Sequence, residues 1–285
     1  MIHFIEHIVM HTIEDTLSLL PFLFMVFLAL EYMEHSLSHR TQQIVENAGK
    51  AGPLLGGVLG AAPQCGFSVM ATNLFAGRVA TAGTLVAVYL STSDEMLAIM
   101  MSHQLEAGRI FRILGVKAVI GILAGFAVDM LIKPTADHNH ISQLCEQEHC
   151  GCGHSSPFVS AVRHTISIFA VIAAVTLVLN GVIEAAGLEK ITAVVADAGM
   201  LAPVLACLVG FIPNCAASVV LTELYMAQAI TFGTAMAGLL AGSGVAWVVL
   251  MRTNHNIKEN AKIIGIVFAV SAVSGIMFNA MNISF

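Results

Sequence analysis

The chain has 285 residues, of which 57% are hydrophobic and only 11% charged. That balance excludes a water-soluble globule, because apolar runs repeatedly exceed the roughly 18 residues that cross a bilayer as helix. Net charge is −6 and the twelve Lys and Arg are scattered, so no basic face exists to neutralise a nucleic-acid backbone, and no nucleic-acid partner is expected.

Residues 1–15 carry His3, His7 and His11 with three acids but no Lys or Arg, unlike a secretory signal, and are expected to stay in the mature protein. These histidines, and then Glu31, His35 and His39, recur at helical i, i+4 spacing. That geometry is competent for a divalent ion and is also what a polar stripe on an interfacial helix looks like. Apolar runs follow at 17–32, 79–101, 110–132, 158–183, 230–251 and 263–281, with two more stretches broken by Gly and Pro. The spacing predicts an all-α polytopic membrane helix bundle of about 8–10 membrane segments.

Compared with itself at an offset of 150 residues, the chain aligns 53–93 with 203–243 without a gap, and fifteen of these 41 positions are identical. They include Pro53/Pro203, Gly60/Gly210, Pro63/Pro213, Cys65/Cys215, Ser68/Ser218, Thr72/Thr222, Thr81/Thr231 and Gly83/Gly233. Biased composition alone accounts for about 3 or 4 matches. The chain therefore reads as a membrane repeat over 1–134 that opens on an amphipathic His-bearing helix, a connecting loop over 135–157, and a second repeat over 158–285.

In each repeat a Gly/Pro interruption carries Pro63-Gln64-Cys65 or Pro213-Asn214-Cys215. Broken backbone at membrane depth is tolerated only inside protein or beside a wet cavity, and matched breaks in two repeats point to a transporter's binding site. Harmless kinks are the plainer alternative. If each interruption crosses the membrane once, the repeats are parallel; if it is re-entrant, they are inverted. Counting positive charges gives eight against three either way. Inversion is favoured, because the Pro-Cys elements then meet near the midplane from opposite sides.

The breaks offer an amide and a thiol each, with Ser68 and Ser218 one turn further on, a set able to strip water from a cation. Alternatively the thiols are small buried hydrophobes and the serines bond back to their own helices. Glu223 lies two turns after Cys215, and its repeat counterpart is Asn73, so both halves offer oxygen there. Asp94 and Glu95 follow Ser91-Thr92-Ser93 at the second break. Ionisable groups at membrane depth need a partner, water or a cation. Lys117 and Asp129 are read only as residues positioned by interfaces or by each other.

The connecting loop holds His138, His140, Cys145, His149, Cys150, Cys152 and His154, seven His or Cys within 17 residues. This fits no closed zinc-finger spacing and reads as a loop that binds a transition metal loosely. Six Cys, three of them in this loop and three in apolar segments, do not suggest a disulfide scaffold. No HExxH, Gly-x-Ser-x-Gly, Walker or Rossmann pattern is present, which argues against a protease, an ATP-driven pump and enzymatic activity in general.

Gly60-Ala61-Ala62-Pro63-Gln64-Cys65-Gly66-Phe67-Ser68, Thr92-Ser93-Asp94-Glu95 and Gly210-Phe211-Ile212-Pro213-Asn214-Cys215-Ala216-Ala217-Ser218 resemble the ArsP-related family, whose members are labelled ten-helix heavy-metal exporters and manganese transporters. The resemblance covers almost all residues and implies metal or metalloid efflux, with manganese first and arsenicals second. Carboxylates and amides suit Mn²⁺, whereas paired Cys suits zinc, cadmium or trivalent arsenic.

The expected function is export of a divalent transition metal, Mn²⁺ first, by alternating access around Gln64, Cys65, Ser68, Asn73, Asp94, Glu95, Asn214, Cys215, Ser218 and Glu223. No resident cofactor is expected beyond the transported ion. The expected partners are that ion and the lipid bilayer, with a homodimer as a further option, in a multi-pass inner (plasma) membrane setting. The rivals are an arsenical exporter, a thiol-disulfide electron carrier using Cys65 and Cys215, and a membrane-anchored metal sensor built on the His/Cys loop.

Overall fold

The structure, a computed structural model, describes residues 51–61, 66–93, 96–132 and 198–283, with scattered helical positions at Leu20, Phe24, Leu28 and between 158 and 178. The described elements are helices: α1 Gly52–Gly60, α2 Gly66–Ala76, α3 Ala82–Ser91, α4 Met96–Ser102 and α5 Ala107–Leu131. After a 3₁₀ turn at Gly199–Leu201 come α6 Ala202–Gly210, α7 Cys215–Met226, α8 Phe232–Ala241, α9 Ala246–Thr253 and α10 Ile257–Ala280. Shifted by 150 residues, the bounds of α1–α5 fall within one residue of those of α6–α10. The sequence repeat is thus also a repeat of elements.

The same local chemistry sets these bounds in both halves. Pro53 and Pro203 sit in the first turns of α1 and α6, where a missing N–H costs nothing. Thr81 and Thr231 cap α3 and α8, their hydroxyls accepting the Thr84 and Thr234 amides at 3.0 and 3.2 Å. α2 and α7 end in one turn type, with Arg78 and Gln228 left-handed at φ 58° and 57°. The Val79 and Ala229 amides donate back to Leu74 and Leu224 carbonyls at 2.8 and 2.9 Å, a Schellman closure.

Glycine lets the helices of each half come together. Gly52 lies against Thr84, Gly56 against Thr84 and Val88, and Gly60 against Val88 and Ser91, so α1 runs alongside α3 in the same direction. Gly83 lies against Gly125 and Asp129, and Gly121 against Ala87, so α5 runs back the other way. In the second half Gly210 meets Gly238, and Gly233 meets Gly275 and Asn279. Small residues allow this close approach where lipid supplies no hydrophobic drive between helices.

Among the described residues four runs are long and apolar enough to cross a membrane: Ala82–Ser102, Ala107–Leu131, Phe232–Thr253 and Ile257–Ala280. Two of them, α3–α4 and α8–α9, form the interior; every residue of α8 is buried. α5 and α10 are buried along one stripe only and expose Phe111, Val119, Leu123, Met130, Val273 and Met277 outward. An apolar exterior around a buried polar interior is the pattern of a bundle solvated by lipid. The halves exchange contacts reciprocally: α2 packs on α9 and α7 on α4, while α3 meets α8 and α10.

Asp129 braces the start of α3, its carboxylate accepting from the Gly83 amide and the Thr81 hydroxyl, each at 2.8 Å. Asn279 does the same in the second half, accepting from the Thr231 hydroxyl at 2.7 Å. Asp129→Leu is therefore expected to lower stability by about 2–3 kcal/mol, whereas Asp129→Asn, the solution the other repeat already uses, should cost much less. Thermal unfolding in detergent separates the two.

Candidate functional site

The interior helices end in polar runs deep in the bundle. Ser91, Thr92 and Ser93 close α3, and all three are buried. The Ser91 and Thr92 hydroxyls fold back onto the Ala87 and Val88 carbonyls, both at 2.7 Å. Ser93 instead donates to the Ala61 carbonyl at 2.8 Å, which ties the end of α3 to the last described position before Pro63.

Across the bundle the end of α8 meets the same place. The Ser243 hydroxyl donates to the Tyr89 carbonyl at 3.4 Å, and the chain there turns through Gly244 at φ 53°, a left-handed geometry that favours glycine. The Tyr89 hydroxyl lies 2.7 Å from the Thr72 hydroxyl and 3.3 Å from the Ala246 carbonyl. Its ring packs edge-on against Trp247 with centroids 4.7 Å apart, and Trp247 packs on Phe211 at 4.8 Å. Phe211 closes α6 two residues before Pro213. The ends of α1, α3, α6 and α8 and the start of α9 thus converge on one buried centre.

Lys117 reaches into it from the buried stripe of α5. Only 1% of the residue is exposed, and its ammonium donates to the Thr92 carbonyl at 2.5 Å and the Leu239 carbonyl at 2.7 Å, one from each half. Asp129 is spent on the start of α3, so these two groups do not position each other. Lys117 is the residue that sequence reasoning passed over. Its signal was present: an ammonium within an apolar run, in register with Ile110, Ile113, Gly121 and Gly125, belongs to the inward face.

Of the residues singled out from sequence, Ser68, Asn73 and Asn214 are buried. Among the described residues the Asn73 side-chain nitrogen has no hydrogen-bond partner. Asn214 lies in the second break, its amide bonded to the Ile212 carbonyl at 2.7 Å, and the Ser218 carbonyl accepts from Thr222 at 2.7 Å. Glu223 stands away from the centre: it is half exposed and 3.0 Å from His103 of α4–α5. Gln64, Cys65, Asp94 and Glu95 lie outside the described residues, as does the side chain of Cys215. So do His138, His140, Cys145, His149, Cys150, Cys152 and His154 of the loop, and the N-terminal histidines.

Among the described residues no three His, Cys, Asp or Glu side chains converge in a way that could hold a metal. The described polar groups at the centre include carbonyls, hydroxyls, the Trp247 indole N–H and the Lys117 ammonium. Oxygen donors of this kind suit hard cations.

Fold and centre define the class: a multi-pass membrane helix bundle whose interior helices break around buried polar groups. A family model described as "Putative, 10TM heavy-metal exporter" matches residues 5–173, more than half of the chain, and the protein belongs to that ArsP-related family. No curated protein and no solved structure matches it.

Proposed function

We propose that the protein is a secondary transporter that exports a divalent transition metal, Mn²⁺ first, by alternating access of two inverted repeats. One observation carries this reading: the interior helices of both halves end together at a buried, oxygen-rich centre inside a membrane bundle. The family's description supports a heavy-metal substrate, and the abundance of oxygen donors favours Mn²⁺ over softer ions. In the proposed site Gln64, Cys65, Ser68, Asn73, Asp94, Glu95, Asn214, Cys215 and Ser218 supply ligands around the breaks, and Glu223 lies on the approach to them.

Two ion pairs support inversion. Arg78, in the turn before α3, pairs with Glu259 at the start of α10 at 2.7 Å, which brings the start of α3 and the α9–α10 loop to one face. His103, after α4, pairs with Glu223 near the end of α7, which brings the α4–α5 loop and the start of α8 to the other. The course of α1 beside α3, followed by the return of α2 to the start of α3, supports a re-entrant hairpin in each half.

The experiment is Mn²⁺ flux into proteoliposomes containing the purified protein, paired with metal content in cells by mass spectrometry. Flux is expected to fall at least about tenfold in Asp94→Asn combined with Glu223→Gln, a loss of some 1.4 kcal/mol or more at the transition state. Unchanged flux and unchanged cellular metal in that double variant would sink the proposal.

A further inference from the structure

A helix that ends inside protein leaves its last carbonyls without intrahelical partners, and the aligned peptide dipoles put about half a negative charge there. α3 and α8 both end this way, and their ends meet: Ser243 bonds to the Tyr89 carbonyl, and both sit in the buried core. Neutral donors meet part of this, the Trp247 indole N–H donating to the Ala241 carbonyl at 3.3 Å, but two such ends in a low-dielectric interior still repel each other, and a cation between them offsets that. The Lys117 ammonium fills that place, since Thr92 caps α3 and Leu239 lies in the last turn of α8.

Unwound carbonyls and helix C-termini are the groups that coordinate cations in broken-helix membrane proteins. Here the cation is covalently attached to the chain. The repeat is asymmetric at this point, because the counterpart of Lys117 at the 150-residue offset is Val267, which is fully buried and apolar. The bundle therefore has this ammonium on one half only, reaching across to the other.

We infer that Lys117 is a tethered cation. It occupies a cation site built from the helix ends of both halves and clamps those halves together. Without the ammonium, the same carbonyls form a site for a small alkali cation. This deepens the transport reading: the halves rock apart only when the ammonium withdraws, and an arriving metal replaces its charge. The clamp itself does not depend on which ion is carried.

The test is thermal unfolding of the full-length protein in detergent, with choline, Na⁺ or K⁺ as the only monovalent cation at equal ionic strength. The wild-type midpoint is expected to be the same in all three. Lys117→Met should unfold at least about 3 °C lower in choline and regain much of that loss, saturably, in Na⁺ or K⁺. Lys117→Arg should stay independent of the ion. Lys117→Gln, which keeps a donor without the charge, covers the case in which Lys117→Met does not fold, and should show the same ion dependence. An ion-independent midpoint in both uncharged variants overturns the inference, as does failure of both to fold in K⁺ as well as in choline. Wild-type Mn²⁺ flux reports separately on the transport reading: ion-dependent stability without flux retains the clamp and removes the transporter, and flux without ion dependence does the reverse.

Discussion

Gly83→Val is expected to abolish recovery of folded protein, while Gly115→Val in the same half leaves it unchanged. A side chain at 83 would run into the Gly125 carbonyl and the Asp129 carboxylate, whereas one at 115 meets nothing within 4 Å. The obstacle at 83 is in part the backbone of a packed helix, and the carboxylate beside it is held in place by two hydrogen bonds. Relief requires α3 and α5 to separate, which also breaks the Asp129 bonds to Gly83 and Thr81. Overpacking costs about 1–3 kcal/mol where neighbours can yield, and here it adds to a lost carboxylate cap, so a loss above about 4 kcal/mol is expected. Size-exclusion profiles in detergent after mild heating read the difference. Equal recovery of the two variants would show that the glycine contact between α3 and α5 is not holding the half together.

That contrast marks the limit of what the sequence discloses. Gly83/Gly233 and Gly115/Gly265 are both identical pairs at the same offset, and nothing in the residues themselves separates the contact from open space. Periodic features were legible: the repeat at an offset of 150 residues and the long apolar runs beginning at 79, 110, 230 and 263 recur as elements. Partnerships between distant segments were not. Glu223 looked like a group at the centre because it lies two turns from Cys215, but two turns of helix carry it about 12 Å along the axis, to a half-exposed position beside His103. Lys117 was undervalued for the converse reason. Two of its partners are main-chain carbonyls, which leave no mark in side-chain chemistry.

The loops at 103–106 and 254–256 are equivalent under the repeat, so they decide between parallel and inverted halves. Gln104 and His255 are exposed there and take part in neither of the two ion pairs. With the loop cysteines replaced by serine as background, Gln104→Cys and His255→Cys are expected to react with a membrane-impermeant maleimide from opposite faces of a sealed vesicle. Arg78–Glu259 puts the α9–α10 loop with the start of α3, and His103–Glu223 puts the α4–α5 loop with the start of α8. The run Phe232–Thr253 is long enough to hold the start of α8 and the α9–α10 loop on opposite surfaces. Charge then orients the whole: Arg78, Arg252, Lys258 and Lys262 gather on the His255 face against Arg109 and Arg112 on the other, so His255→Cys should label from the cytoplasmic side. Labelling of both positions from one face would make the halves parallel. The helix ends at Ser93 and Ser243 would then approach from the same side, and rocking of one half against the other could not open their centre to each surface in turn.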